Sequence, residues 1–101
     1  MSIPDQFVLN ANYPNPFNPS TTIRYGLPEP AMVSVRIYTV LGEEVARLRD
    51  GEQQAGMYQV LWDGRGEAGR VLSSGMYICR ISATGTSGRT HVAAIRMMMI
   101  R

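Results

Sequence analysis

The segment that most constrains the fold is a proline-rich run at residues 13–22, with three prolines and two aromatic residues in ten positions. Proline fixes φ, lacks an N–H donor and pushes the preceding residue towards extended backbone. The run therefore excludes a helix or a central strand, and we predict a fixed, non-pairing arm. Phe17 is its natural anchor, because burial of a phenyl ring stabilises by roughly 1.5–3 kcal/mol. A simple proline-rich linker is the alternative interpretation.

Length and composition indicate one domain without a transmembrane helix. A chain of 101 residues can bury a single core, and a second domain does not fit. Its longest strongly apolar stretch, residues 97–100, is far shorter than the roughly 20 residues that span a bilayer. The net charge of +2 comes from ten arginines interleaved with eight acids, which argues against a nucleic-acid partner. We expect residues 1–6 to be a linker or an artificial boundary cut from a longer chain, and residues 7–101 to form the domain.

Short runs of alternating apolar and polar residues, separated by glycine-containing turns, follow the arm. This period of two is typical of half-buried strands. Counting a marginal edge strand at residues 7–9, we predict about seven strands and therefore an all-β sandwich. The other predicted strands cover residues 23–27, 33–38, 45–48, 58–62, 75–81 and 91–101. The predicted turns include Asp50-Gly51, Asp63-Gly64 and a hairpin loop between Gly85 and Gly88.

Five motifs, in a fixed order along residues 7–101, resemble the C-terminal sorting domain of the type IX secretion system. They are most similar to its longer variant, which shares a Trp-Asp-Gly hairpin with the immunoglobulin-like domain of flagellar hook-capping proteins. The motifs are Tyr13-Pro14-Asn15-Pro16-Phe17-Asn18-Pro19, Ile37-Tyr38 with Leu41-Gly42-Glu43-Glu44-Val45, Gly56-Met57-Tyr58, Trp62-Asp63-Gly64 and Ser74-Gly75-Met76-Tyr77.

The resemblance implies an immunoglobulin-like sandwich of about seven strands with an N-terminal proline-rich clasp. It implies a non-catalytic signal that carries a larger exported protein through the periplasm and an outer-membrane translocon to the cell surface or medium. The implied partners are that translocon, its sortase-like protease and a surface glycolipid joined to the cargo. The implied recognition strand consists of Arg96, Met97, Met98, Met99, Ile100 and Arg101. The implied structural motif consists of Pro14, Asn15, Pro16, Phe17, Trp62, Asp63, Gly64, Gly75 and Tyr77.

The last strand carries apolar side chains on both faces at residues 97–100, whereas a half-buried edge strand needs them on one face only. One interpretation is an edge strand that a receptor recognises by main-chain pairing, with the flanking arginines setting the register. The alternatives are a central strand packed on both sides, or a carboxyl end lying in a groove.

Other candidate residues favour structural roles. Asp63 has too few neighbouring oxygen donors for a calcium site, so we expect it to cap its own turn while Trp62 fills the core. His91 is predicted to lie roughly opposite Ile81, offset from Cys79, so a Cys–His pair is not favoured. Cys79 is interpreted as a buried hydrophobe. We predict no cofactor, no metal and no enzymatic activity, in a monomer or weak dimer.

The sequence is also compatible with two alternative functions. One is an accessory or spacer module that binds carbohydrate or a surface polymer beside a secreted enzyme, with Tyr38, Tyr58 and Tyr77 as a sugar platform. The parity of Tyr58 and Tyr77 with core residues argues against that platform. The other is a structural assembly domain of the hook-capping type.

Overall fold

Alternation of apolar and polar residues produces seven strands in a computed structural model that describes residues 3–101. Met1 and Ser2, part of the expected boundary at residues 1–6, lie outside the described residues. The strands are β1 (Val8–Leu9), β2 (Thr21–Leu27), β3 (Ala31–Thr39), β4 (Glu44–Gln53), β5 (Gly56–Trp62), β6 (Gly75–Gly85) and β7 (Thr90–Met99). A short 3-10 turn covers Glu67–Gly69.

The strands form two antiparallel sheets that pack face to face. The three-stranded sheet has the order β1-β2-β5, and the four-stranded sheet has the order β4-β3-β6-β7. The core lies between them and is built from alternate residues, such as Val33, Val35 and Ile37 of β3. The predicted all-β, immunoglobulin-like sandwich of about seven strands is confirmed.

The predicted turn at Asp50-Gly51 is wrong, because both residues lie inside β4. Ser34 and Val33 of β3 pair with them in an antiparallel ladder that has no register shift between Ala31 and Val35. The strand predicted at residues 45–48 therefore extends to Gln53. Pairing with a long buried neighbour outweighs the local turn preference of the Asp-Gly dipeptide.

The expectation of a non-pairing arm is also wrong. Tyr13 forms an antiparallel bridge with Thr22, and Phe17 forms a parallel bridge with Met99. Both residues keep the N–H donor that their neighbouring prolines lack, and a buried strand edge lies within reach. The peptide bonds before Pro14, Pro16 and Pro19 are cis.

The register of the last hairpin differs from the prediction by two residues. His91 lies opposite Ala83, and Ala93 lies opposite Ile81. The predicted glycine pair does close the loop, since the N–H of Gly88 donates to the carbonyl oxygen of Gly85 at 2.9 Å. The shift of two residues leaves the parity unchanged, so His91 lies on the same face of the sheet as it would in the predicted pairing with Ile81.

Candidate functional site

The predicted recognition strand occupies the end of β7, at the edge of the four-stranded sheet. Its side chains alternate as a strand requires. Met97 and Met99 point into the core and are fully buried, whereas Met98 is half-buried and Ile100 is 50% exposed. Arg96 is exposed and takes part in no ion pair among residues 3–101.

The arm covers the outer edge of this same segment with main-chain and side-chain hydrogen bonds. The N–H of Phe17 donates to the carbonyl oxygen of Met98, and the N–H of Ile100 donates to the carbonyl oxygen of Phe17, both at 2.9 Å. The Asn15 side chain accepts from the N–H of Met98 at 3.0 Å and donates to the carbonyl oxygen of Arg96 at 3.3 Å. From the carbonyl group of Arg96 to the N–H of Ile100, the main chain is therefore already paired on both sides.

Phe17 anchors the arm as predicted. Its ring is 2% exposed and lies 5.6 Å from the indole of Trp62, centroid to centroid. Trp62 in turn contacts Tyr77 edge to face at 5.3 Å. These three aromatic residues come from the arm, β5 and β6, so they join the arm to both sheets.

Sequence reasoning missed a small buried polar cluster that shapes the start of the arm. The Asn12 side chain donates to the Thr21 hydroxyl at 3.0 Å and to the carbonyl oxygen of Pro14 at 3.2 Å. The Thr21 hydroxyl also donates to the carbonyl oxygen of Pro14, at 2.8 Å. Proline-rich turns leave carbonyl groups without a partner nearby, so a pair of flanking polar residues is the signal that could have revealed the cluster.

The arginines at the two ends of the predicted recognition strand have different surroundings. The Arg101 guanidinium donates to the carbonyl oxygens of Gly64, at 2.6 Å, and Leu72, at 2.5 Å. The main-chain N–H of Arg101 donates to the Ser74 hydroxyl at 2.8 Å. Arg101 is thus bound within the fold, whereas the Arg96 guanidinium faces solvent.

The Trp-Asp-Gly turn holds itself in place with local hydrogen bonds. The Asp63 carboxylate accepts from the N–H of Arg65 at 3.0 Å, as predicted for a turn cap, and the Trp62 indole donates to the Arg65 carbonyl at 3.0 Å. Gly64 has φ of +76°, and a Cβ there would lie 2.6 Å from the Met99 sulfur. Glycine is therefore required by both the backbone conformation and the close approach of β7.

The remaining motif residues differ in burial, and only Tyr77 among them belongs to the core. Gly75 begins β6, and Tyr77 is buried with its hydroxyl donating to the Ser73 carbonyl at 2.7 Å. Pro14 and Pro16 are exposed on the arm.

The reactive side chains considered from the sequence lie apart from one another. Cys79 is fully buried, and burial raises the pKa of its thiol to about 12, so it is protonated at neutral pH. His91 is half-buried and stacks on Phe7 with ring centroids 5.3 Å apart. Residues 3–101 contain no group of three or more side chains arranged to hold a metal ion.

The three tyrosines of the possible sugar platform are distributed over different surfaces. Tyr58 stacks on Tyr25 in the three-stranded sheet, Tyr77 is buried, and Tyr38 lies on β3 of the other sheet. They do not form one continuous face. In the part of the chain that the structure describes, no helix is long and apolar enough to span a membrane.

Comparison with known proteins gives one family and several similar structures. The family model described as the FlgD Ig-like domain matches residues 17–87. A search of curated proteins found no significant match.

Several solved structures are similar to the chain, among them structures of PorU, FlgD and PorZ. Dimeric latent PorU from Porphyromonas gingivalis has a TM-score of 0.71 at 22% identity, over 93% of this chain and 9% of that one. FlgD from P. aeruginosa has a TM-score of 0.63 at 25% identity, and the match covers 78% of this chain and 60% of that one. PorZ, a surface component of the type IX secretion system of Porphyromonas gingivalis, has a TM-score of 0.54 at 25% identity. The match covers 96% of this chain and 12% of PorZ. The chain thus spans about a tenth of PorU and of PorZ.

Proposed function

Because the chain belongs to the FlgD Ig-like domain family, we propose that it is a non-catalytic recognition module rather than an enzyme. More narrowly, it serves as the sorting domain of a larger exported protein. That protein passes through the periplasm and the outer-membrane type IX translocon, and it reaches the cell surface or the medium.

The observation that carries this proposal is the position of Arg96. It lies on an edge strand, its side chain is exposed, and no acid in residues 3–101 pairs with it. An unpaired cation beside an exposed strand edge is suited to setting the register of a receptor. The likeness to PorZ, a type IX component, supports the same assignment.

The partners follow from the proposed role. The translocon binds the folded domain at the end of β7, and the sortase-like protease then acts on the exported chain. Joining of the cargo to a surface glycolipid belongs to the same proposal. The domain is expected to work as a monomer or weak dimer.

A fusion experiment tests the sorting role. Residues 1–101 are attached to the carboxyl end of a periplasmic reporter in a bacterium that has the type IX system, and the medium and cell surface are assayed. Export is expected in that strain and not in one lacking the translocon. Equal delivery from both strains would overturn the proposal.

Charge substitutions then locate the recognised residues. Arg96→Glu should leave the reporter in the periplasm while the domain stays folded, because exposed substitutions usually change stability by less than about 0.5 kcal/mol. Arg24→Glu is the matched control, since Arg24 is also exposed but lies on β2 of the other sheet. Normal export of the Arg96 variant would remove Arg96 from the recognised surface.

Membership of the FlgD Ig-like family favours one second candidate, an assembly domain of the hook-capping type. In that case the reporter would stay in the periplasm whatever the state of the translocon. The domain would instead co-purify with copies of itself or with other subunits of an extracellular assembly.

A further inference from the structure

The outer edge of β7 is divided into a closed part and an open part. In the closed part, the N–H of Ile100 and the carbonyl oxygens of Arg96 and Met98 point away from β6, where the arm meets them. Main-chain groups of residues two apart on a strand point the same way. Val92 and Ala94 therefore also present an N–H and a carbonyl group outwards, and no segment within residues 3–101 pairs with them.

We define residues 90–95 of β7 as the open edge. Its ladder with β6 runs without a register shift, and it contains no proline, lysine or acid. Val92 is 52% exposed and Ala94 is exposed. Proteins usually protect a sheet edge with charges, bulges or proline. The open edge has none of these devices.

The opposite edge of the same sheet is protected in the usual way. Its strand, β4, carries two register irregularities against β3. It also carries a row of exposed or half-exposed charged residues, Glu44, Arg47, Arg49, Asp50 and Glu52. The contrast within one sheet sets the open edge apart.

Charges around the open edge indicate which chemistry would complement it. Arg96 follows it directly, and Arg80 lies opposite Ala94 on β6. Both arginines are exposed, and neither forms an ion pair among the described residues. Arg80 and Arg96 are diagonal neighbours on the same face of the sheet, roughly 7–8 Å apart in such an arrangement. Residues 89–101 contain no acid.

We propose that the open edge is a docking site at which an extended, carboxylate-bearing segment of a partner protein adds as a further strand to the four-stranded sheet. Main-chain hydrogen bonds to Val92 and Ala94 provide the pairing, and a carboxylate of the added segment faces Arg96 and Arg80. The arm already uses the continuation of this edge for main-chain pairing, which shows that the edge accepts an extended segment.

The inference goes beyond the sorting role and is tested separately, on the purified 101-residue chain. The probe is an acetylated, amidated pentapeptide of threonine, valine, threonine, valine and glutamate, used at millimolar concentration. NMR is expected to show shifted and more slowly exchanging amides at Val92 and Ala94. A second peptide with lysine in place of glutamate should bind about two- to fivefold more weakly, the ratio expected for an exposed ion pair.

Two variants separate docking from unrelated effects. Ala94→Pro removes an outward N–H that the sheet does not use, and an edge strand tolerates such a change. The peptide should then no longer shift the amide of Val92. Ala94→Ser keeps that N–H and should bind like the parent chain. Arg96→Glu should reverse the preference, so that the lysine peptide binds better than the glutamate peptide.

Several outcomes would overturn the inference. One is the absence of any shift at Val92 and Ala94 in the parent chain, and another is a shift at Val92 that survives Ala94→Pro. Binding confined to β5, or to residues 96–100 after release of the arm, would place the docking site elsewhere. A concentration-dependent dimer lost in Ala94→Pro would identify a second copy of this chain as the occupant instead. Export of the reporter fusion does not depend on any of these results.

Discussion

The guanidinium of Arg101 donates to the carbonyl oxygen of Gly64 at 2.6 Å, across 37 residues of sequence. This contact fastens the residues after β7 to the turn after β5. It also changes the meaning of a charge substitution at residue 101, because such a substitution alters the fold as well as the surface.

Arg101→Ala is expected to lower the free energy of unfolding by about 1.5–3 kcal/mol, the usual contribution of a hydrogen bond to a charged group. The carbonyl groups of Gly64 and Leu72 would lose their donor. Arg96→Ala is the matched control and should change stability by less than about 0.5 kcal/mol. Urea denaturation measures the free energy of unfolding of both variants. Equal losses would contradict the conclusion that Arg101 is bound within the fold and Arg96 is not.

Asn15→Ala should loosen the closed part of the β7 edge. The side chain of Asn15 holds the N–H of Met98 and the carbonyl of Arg96, so its removal exposes both groups to water. Hydrogen exchange at the Met98 amide should accelerate, while that of Val35 in the central strand β3 should not change. Unaltered exchange at Met98 would show that the arm stays closed without Asn15.

Gly64→Ala should destabilise the protein by about 1–3 kcal/mol or more. The new Cβ would lie 2.6 Å from the Met99 sulfur and 2.9 Å from the carbonyl oxygen of Pro19, at a positive φ. Gly42→Ala is the control, because Gly42 also has a positive φ, +90°, but open space around it. Thermal unfolding should show the larger loss for Gly64, since only there do strain and steric conflict combine.

Protonation of Glu29 should release the loop between β6 and β7. Hydrogen bonds from the Ser87 hydroxyl and N–H, with a further one from the Thr86 hydroxyl, hold the pKa of this carboxyl below its usual value. The ionised form is favoured in the fold, so its stabilising effect is complete above the pKa that this carboxyl has in the unfolded chain. The effect is lost as the pH falls through the lowered folded pKa.

Hydrogen exchange at the Ser87 amide, corrected for its intrinsic pH dependence, measures this release. Protection should fall in acid in the parent chain. Glu29→Gln should show, at every pH, the weak protection that the parent chain shows in acid, because a neutral amide is a poorer acceptor than a carboxylate. Equal pH profiles for the two proteins would exclude Glu29 as the group that titrates.

The residues alone were enough to predict the strand class, the buried face of most strands and the turn at Asp63-Gly64. Alternation at Val33, Val35 and Ile37 reports a half-buried strand directly, because side chains on a strand point to opposite faces in turn. The burial of Phe17 and the turn cap at Asp63 were predictable for similar reasons, since each depends on the residue and its immediate neighbours.

Which strands lie at the sheet edges, and what covers those edges, depends on how distant parts of the chain pack together. Asn15 meets Met98 across 83 residues of sequence, and Arg101 meets Gly64 only because the ends of β5 and β7 lie together. No local pattern encodes these distances. Asp50-Gly51 became strand for the same reason, since the long neighbour β3 was available for pairing. Local sequence sets what each segment prefers, whereas the packing of two sheets sets which backbone groups have partners.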